Sequence, residues 1–449
     1  VNKLHETAPL GNVLIVGAGP AGIHVAVDLS KGWCCRLGLT NRKGIHAERL
    51  QQELDQYSFQ LCTEVLVERA KHLSATARLD QFYAGFDTIE DDWHTIVLCV
   101  PSHSYVEVIR ELKLDQRIQL ERIILISPGI GSNILVKESL GQSRDLIEVI
   151  SFSTYYAATK FPPAASTLLK SIVKGLKRKI YIGSSQANSS MLFILQDYMS
   201  SLGIEAERTS HPIEAESRSI TTYVHPPLFL NSFSLQEIFS LTRSSKYMYK
   251  LYPEGPITPD AIRSMVRLWK EISSILVKFG AEPVNLLKFM NDDNYPVQEQ
   301  TLSRLDIEGF VQFEDIHQEY LLYIRYASLL IDPFSIPDEQ GQYRPFAAVP
   351  YQQVSRDQAG RWVIPRVPYE DYRRLKLLYL VGQAFHLPMP QAKTLIVNFE
   401  KHLGKFMEEQ GTEAFLPDLI NDSTWDEAEV IIREMQTINL KDREDVFKS

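Results

Sequence analysis

Short apolar runs and amphipathic stretches alternate along the first half of the chain. Runs at Asn12–Val16, Cys35–Leu39, Thr95–Val100, Ile123–Ser127, Ile147–Phe152 and Lys179–Ile182 read as buried strands, since a strand covered on both faces needs apolar side chains on both. Between them, Ala21–Lys31, Tyr105–Leu112, Ser166–Gly175 and Ser190–Leu202 read as helices. This alternation predicts βαβ units, hence an α/β fold with a Rossmann-like, doubly wound parallel sheet. The texture changes near Ser210. Pro259–Phe279, Phe313–Leu330, Tyr369–Phe385 and Ala392–Gln410 carry helical periodicity, separated by Pro-rich joints at Pro253–Pro259, Pro333–Pro350 and Pro365–Pro368. A Rossmann domain over 1–210 and a mainly α-helical domain over 211–449 are expected, with a charged surface helix from about Asp418 onward.

A chain of 449 residues fits two cores better than one. With 47 Lys and Arg against 56 Asp and Glu, the net charge is −9. Such a surface has no long-range attraction for nucleic acid or anionic membrane, so an anionic ligand needs local cations. No apolar segment approaches the ~18 residues of a membrane span, and no signal-peptide pattern opens the chain. Cys34, Cys35, Cys62 and Cys99 form no CxxC pair, which suits buried thiols in a reducing cytoplasm. Neither HExxH nor HxxxH occurs, so no metal is expected, and G-x-S-x-G is absent too.

The sharpest motif is Gly17-Ala18-Gly19-Pro20-Ala21-Gly22, a G-x-G-x-x-G between a strand and a helix. Gly17 allows a tight turn, Gly19 lets the backbone approach a pyrophosphate, and Gly22 lets the helix pack closely on its strand. Pro20 suits a first helical turn, whose dipole favours phosphate. Where an NAD or FAD site places an acidic ribose clamp, Leu39–Gly44 offers Asn41, Arg42 and Lys43 instead. Arg42 can fork onto a 2′-phosphate and Lys43 can add a point charge, so NADPH is the expected cofactor. A solvated loop is the plain alternative for both. Val100, Pro101 and Ser102 end another strand and are expected on the nicotinamide side of the crevice, while Pro128–Ser132 is placed to cover the cofactor or simply to turn.

Reduction of a C=O or C=N bond also needs a proton, and histidine titrates in the right range. Of eleven histidines, His225 stands out, within Tyr223-Val224-His225-Pro226-Pro227-Leu228-Phe229 where the two domains meet. The prolines restrict it to an extended backbone, either to aim the ring or as part of a buried helix start. The polar cluster Asn291-Asp292-Asp293-Asn294 supplies carboxylates that either orient the histidine or cap a helix. Lys160 and Arg218 are candidate cations for substrate carboxylates.

Together, Gly17–Gly22, Asn41-Arg42-Lys43, Ser151-Phe152-Ser153-Thr154-Tyr155, Tyr223–Phe229 and Asn291-Asp292-Asp293-Asn294-Tyr295-Pro296-Val297 resemble the opine dehydrogenases. The resemblance is to the branch that makes nicotianamine-like metallophores, the staphylopine, pseudopaline and yersinopine dehydrogenases, with overall texture nearest the yersinopine type. It implies an NADP-binding Rossmann domain, a helical catalytic and dimerisation domain, an active site between them and a homodimer. It also implies reductive condensation of an aminobutyrate-extended histidine with pyruvate or 2-oxoglutarate. His225 falls on the family's catalytic histidine, with Asp292 and Asp293 as candidates for its acidic partner. Two other readings stay open: a flavin-dependent amine oxidase or monooxygenase, and a non-catalytic NADPH-binding regulator.

Overall fold

Alternation within the first strand sets up the two faces of the sheet. The computed structural model describes residues 8–294, 297, 299–328, 340–341, 349–357, 359–415, 419 and 422–448. In it, β1 (Asn12–Val16) sends Val13 and Ile15 into one apolar cluster and Leu14 and Val16 into another. Helices α1 (Pro20–Leu29), α2 (Ile45–Gln56) and α5 (Met191–Ser201) fill the first cluster. Helices α3 (Tyr105–Glu111) and α4 (Ser132–Ser139) fill the second.

The strands are β2 (Arg36–Asn41), β3 (Gln60–Val65), β4 (Ala75–Arg78), β5 (Gln81–Ala84), β6 (Thr95–Leu98), β7 (Arg122–Leu125), β8 (Glu148–Phe152), β9 (Ala157–Lys160), β10 (Lys170–Leu176), β11 (Lys179–Ser184) and β12 (Glu205–Arg208). The main sheet has eight strands in the order β12-β11-β8-β7-β6-β1-β2-β5. Its neighbours run parallel except β11 against β8. The strand order reverses between β1 and β6, where a doubly wound sheet opens its ligand crevice.

Two sequence expectations are corrected. Ser166–Gly175 is not a helix: β10 joins a second, four-stranded sheet in the order β4-β3-β10-β9. Its buried residues, Ser171 and Val173, recur with period two rather than 3.6. The boundary also moves, because the chain divides into units Val1–Arg218 and Ser219–Ser449 rather than at 210. Helix α6 (Pro212–Ser217) packs on β8 and β11 and so belongs to the first unit.

Glu216 of α6 shows why. Its fully buried carboxylate accepts the backbone N–H groups of Gly131 (2.8 Å) and Asn133 (2.7 Å) and the Ser151 hydroxyl (2.9 Å). Charge-assisted bonds of about 1.5–3 kcal/mol each offset only part of what burying a carboxylate costs. Burial still pushes the carboxyl up to about 8, against the pull of those donors.

In the second unit, α7 (Ile220–Phe229), α8 (Ser232–Ile238), α9 (Pro259–Lys278), α10 (Leu286–Lys288), α11 (Arg304–Gly309), α12 (Asp315–Ser328), α13 (Arg366–Ala384), α14 (Pro390–Gln410) and α15 (Thr424–Lys448) make it mainly helical. Thr258 caps α9 by accepting the Ala261 N–H at 3.1 Å, and Pro259 occupies the first turn. Helix α9 packs on α7, α12 and α14, while α13 packs on α7, α14 and α15. The terminal segment is more than a surface helix: Ala428, Ile431 and Met435 bury an i, i+3, i+7 stripe, with Trp425 exposed. Most of the expected Pro333–Pro350 joint lies outside the described residues.

Glu216→Gln should lower the melting temperature, because an amide N–H then faces backbone donors at a cost of about 1–3 kcal/mol. The raised carboxyl pKa means that the proton-linked stability of the wild type is fullest below the ordinary carboxyl range and is lost as pH climbs through about 8. In thermal melts at successive pH values, the gap between wild type and variant should therefore narrow from pH 5 to pH 8. A gap that widens over that range contradicts this account.

Candidate active site

In the first unit, the glycine loop sits where the sheet order reverses. The Gly17 N–H donates to Thr40 O (2.9 Å) and the Cys99 N–H to Val16 O (2.8 Å), so the ends of β1, β2 and β6 are fastened together. Gly17 has φ +108°, and a side chain there would meet Cys99 O at 2.7 Å and Val100 Cγ1 at 2.9 Å. At Gly22 an added Cβ would lie 1.9 Å from Gly17 O, which no relaxation of a side chain can relieve. Around Gly19, by contrast, there is nothing within 4 Å. Gly19 is the N-cap of α1, with Pro20 in the first turn, no side-chain cap and no acidic residue in that turn. Open backbone at an uncapped helix N-terminus fits a dinucleotide pyrophosphate.

Asn41 and His46 hold the loop from opposite sides. Asn41 Oδ1 accepts the Ala18 N–H (3.1 Å), and His46 Nε2 lies 3.0 Å from Ala18 O. Sequence reasoning passed over His46, whose polar surroundings give no hint of this contact. Arg42 reaches Glu107 (2.6 Å) and Glu111 (3.4 Å) of α3, and Lys43 pairs with Asp87. Ala21 lies in the first turn of α1, and beyond β6 Val100 comes up against Gly17, with Pro101 and Ser102 leading into the short turn that follows. The fingerprint residues and the strand-end residues are thus brought together.

His24 proves structural: its Nδ1 lies 2.7 Å from the Tyr155 hydroxyl and its Nε2 3.1 Å from Asp28, and burial lowers its pKa. Lys160 is exposed on β9, and Arg218 pairs with Glu214 at 3.4 Å. All four cysteines are free thiols, and burial pushes Cys34 up to about 12.

In the second unit, His225 is helical, not extended. It lies within α7, although Pro226 and Pro227 remove the N–H groups that would bond Thr222 and Tyr223. Each internal proline costs about 3 kcal/mol, so the pair costs about 6. Full burial of Leu228 and Phe229, at about 1.5–3 kcal/mol each, offsets much of that cost.

The ring is held on several sides. Nδ1 lies 3.2 Å from both carboxylate oxygens of Asp371, Nε2 lies 3.1 Å from the Tyr249 hydroxyl, and Phe229 packs edge-on at 4.9 Å. The side chains of His225 and Asp371 are only 14% and 6% exposed. A buried carboxylate on Nδ1 fixes the tautomer and leaves Nε2 to exchange a proton.

This corrects the acidic partner. Asp292 and Asp293 lie in a π-helical turn, Phe289–Asn294. Asp292 takes a two-pronged pair from Arg304, both contacts at 2.9 Å. Partial burial raises its carboxyl, but Arg304 and the Asn291 amide outweigh this and hold it below the ordinary value. Asn285, not either aspartate, caps α10. Tyr295 and Pro296 of that motif lie outside the described residues. Asp371 did carry a sequence signal: with Leu375, Leu378 and Gly382 it occupies the i, i+4, i+7, i+11 stripe that α13 buries. Tyr249 carried none.

A Rossmann unit followed by a helical unit with a carboxylate-bound histidine defines a nicotinamide-dependent oxidoreductase of opine dehydrogenase type. The family model described as staphylopine dehydrogenase matches residues 11–435, and the chain belongs to that family. It is 43% identical to the pseudopaline synthase of Pseudomonas aeruginosa over 95% of this chain and 97% of that protein. It is 35% identical to the yersinopine synthase of Yersinia pestis over 95% and 98%. Its structure is similar to NADP+-bound yersinopine dehydrogenase, with a TM-score of 0.87 and 33% identity over 95% of this chain and 99% of that one. Octopine dehydrogenase with NADH and L-arginine shares the fold at 14% identity, with a TM-score of 0.61 over 89% and 90%.

Gly22→Ala should displace the loop from the Gly17 carbonyl and weaken dinucleotide binding by tenfold or more, on the order of 1.4 kcal/mol. Fluorescence titration with NADPH measures this, and unchanged affinity contradicts the assigned crevice.

Proposed function

We propose that the chain is an NADPH-dependent enzyme that condenses an aminobutyrate-extended histidine with pyruvate or 2-oxoglutarate to form an opine metallophore, acting as a cytoplasmic homodimer. The observation that carries this reading is the buried Asp371 bound to Nδ1 of His225. The amine nitrogen attacks the 2-oxo carbon, water leaves, and the resulting C=N bond is reduced to a secondary amine. Bound NADPH supplies the hydride for that last step.

The chain's own residues supply the rest. His225, charged beside Asp371, donates a proton from Nε2, and Asp371 stabilises the imidazolium and holds its plane. Gly17–Gly22 and the start of α1 bind the pyrophosphate through backbone N–H groups, with Asn41 and His46 keeping the loop in shape. Arg42 and Lys43, at the end of β2, favour a 2′-phosphate because Leu39–Gly44 contains no carboxylate to repel it.

The test follows NADPH absorbance while candidate amines are crossed with the two oxo acids, with mass spectrometry of the product. Consumption of NADPH without a secondary amine of the summed mass defeats the reading. His225→Ala should lose about 10²–10⁴ in kcat while keeping NADPH affinity, and unchanged turnover removes His225 from the mechanism. Arg42→Ala should weaken NADPH binding tenfold or more while leaving NADH nearly untouched, on the order of the 1.5–3 kcal/mol of a charged hydrogen bond. Equal losses for the two cofactors contradict the phosphate assignment.

A further inference from the structure

The nitrogen of His225 that would exchange a proton does not face an open position. Its neighbour is the hydroxyl of Tyr249, 3.1 Å away. That tyrosine comes from a different part of the second unit, a loop braced by Tyr247 N–H to Glu254 O (2.9 Å), Met248 N–H to Val349 O (2.8 Å) and Tyr252 N–H to Ile257 O (3.0 Å). Its ring stands edge-on to Phe229 at 5.4 Å, and Phe229 stands edge-on to His225 at 4.9 Å. One phenylalanine therefore packs against both rings, and the Tyr249 hydroxyl is held on the side of the imidazole opposite Asp371.

We propose that Tyr249 is a second acid–base residue of the reaction, the hydroxyl through which the proton of His225 Nε2 reaches the substrate. This rests on the function proposed above. A phenol can accept a proton at its oxygen while giving up its own, and 3.1 Å is within the range for such a transfer.

The step is the loss of water from the amine–oxo acid adduct. The imidazolium N–H gives its proton to the tyrosine oxygen as the tyrosine O–H proton passes to the adduct's hydroxyl. The carbon–oxygen bond breaks, water departs, and the nitrogen lone pair forms the second bond to carbon. A charged imidazole and a neutral adduct become a neutral imidazole, water and a cationic iminium, so charge and atoms balance. Hydride from NADPH then converts the iminium to the neutral secondary amine, with no further proton needed.

Tyr249→Phe tests this because it keeps the packing against Phe229 and removes only the hydroxyl. Turnover should fall at least about tenfold, within the range that a positioned proton donor contributes, with NADPH affinity unchanged. The solvent deuterium isotope effect on kcat and the shape of its pH profile should change with it. The double variant Tyr249→Phe/His225→Ala should be no slower than His225→Ala alone, since the two act in series. A Tyr249→Phe enzyme with wild-type turnover overturns the relay, as does a slower one whose isotope effect and pH profile match wild type, which marks a structural role. Losses that multiply in the double variant also overturn it. The two failures are distinguishable: NADPH consumed without a secondary-amine product defeats the proposed function, whereas a silent Tyr249→Phe in an enzyme that makes that product and is disabled by His225→Ala removes the relay alone.

Discussion

An imidazole bound firmly at one nitrogen can exchange protons only at the other, and the bond from Asp371 to Nδ1 imposes that choice on His225. The bond is also what lets Asp371 be buried. A carboxylate in that position costs several kcal/mol without a partner, so the apolar stripe of α13 is compatible with Asp371 only because α7 brings an imidazole to it. Three elements then fix the ring independently: α13 through Asp371, α7 through Phe229 one turn onward, and the Tyr249 loop through its hydroxyl. Orientation held from several sides is what proton transfer needs, because misplacement by an ångström can cost a hundredfold in rate.

The first unit separates two tasks that a dinucleotide site must perform. Backbone geometry accepts the pyrophosphate, and it is rigid: Gly22 touches the Gly17 carbonyl, and Asn41 and His46 pin Ala18 from both ends of its peptide. Under the proposed preference for NADPH, discrimination between cofactors would fall to side chains at the surface. The pairs from Arg42 to Glu107 and Glu111 are about half exposed, and pairs of that kind contribute about 0–1 kcal/mol. Exchanging them for a doubly charged phosphate is therefore inexpensive, so cations that already have partners remain available to a ligand.

The sequence revealed most where chemistry and local geometry coincide. Gly17–Gly22 must follow a strand and open a helix to work at all, so its context was readable along the chain. The prolines single out His225, but the backbone there is helical rather than extended, supported by the burial of Leu228 and Phe229. Ser166–Gly175 reads as a helix from sequence because the buried positions of the strand it contains include Ser171, which bonds to Pro20 O and so breaks the apolar alternation expected of a strand. Tyr249 and Asp371 lie 24 and 146 residues from His225, and no spacing rule connects them. Their convergence is a property of packing.

The two aspartates at issue also show why a carboxylate's partner decides its use. Asp292 is clasped by Arg304, and a guanidinium keeps its proton throughout the range in which enzymes work. Such a pair has one charge state and can only hold the π-helical turn to α11. Asp371 faces an imidazole, a group that can both accept and donate a proton. In the mechanism proposed above, the carboxylate that partners His225 is therefore Asp371 and not Asp292.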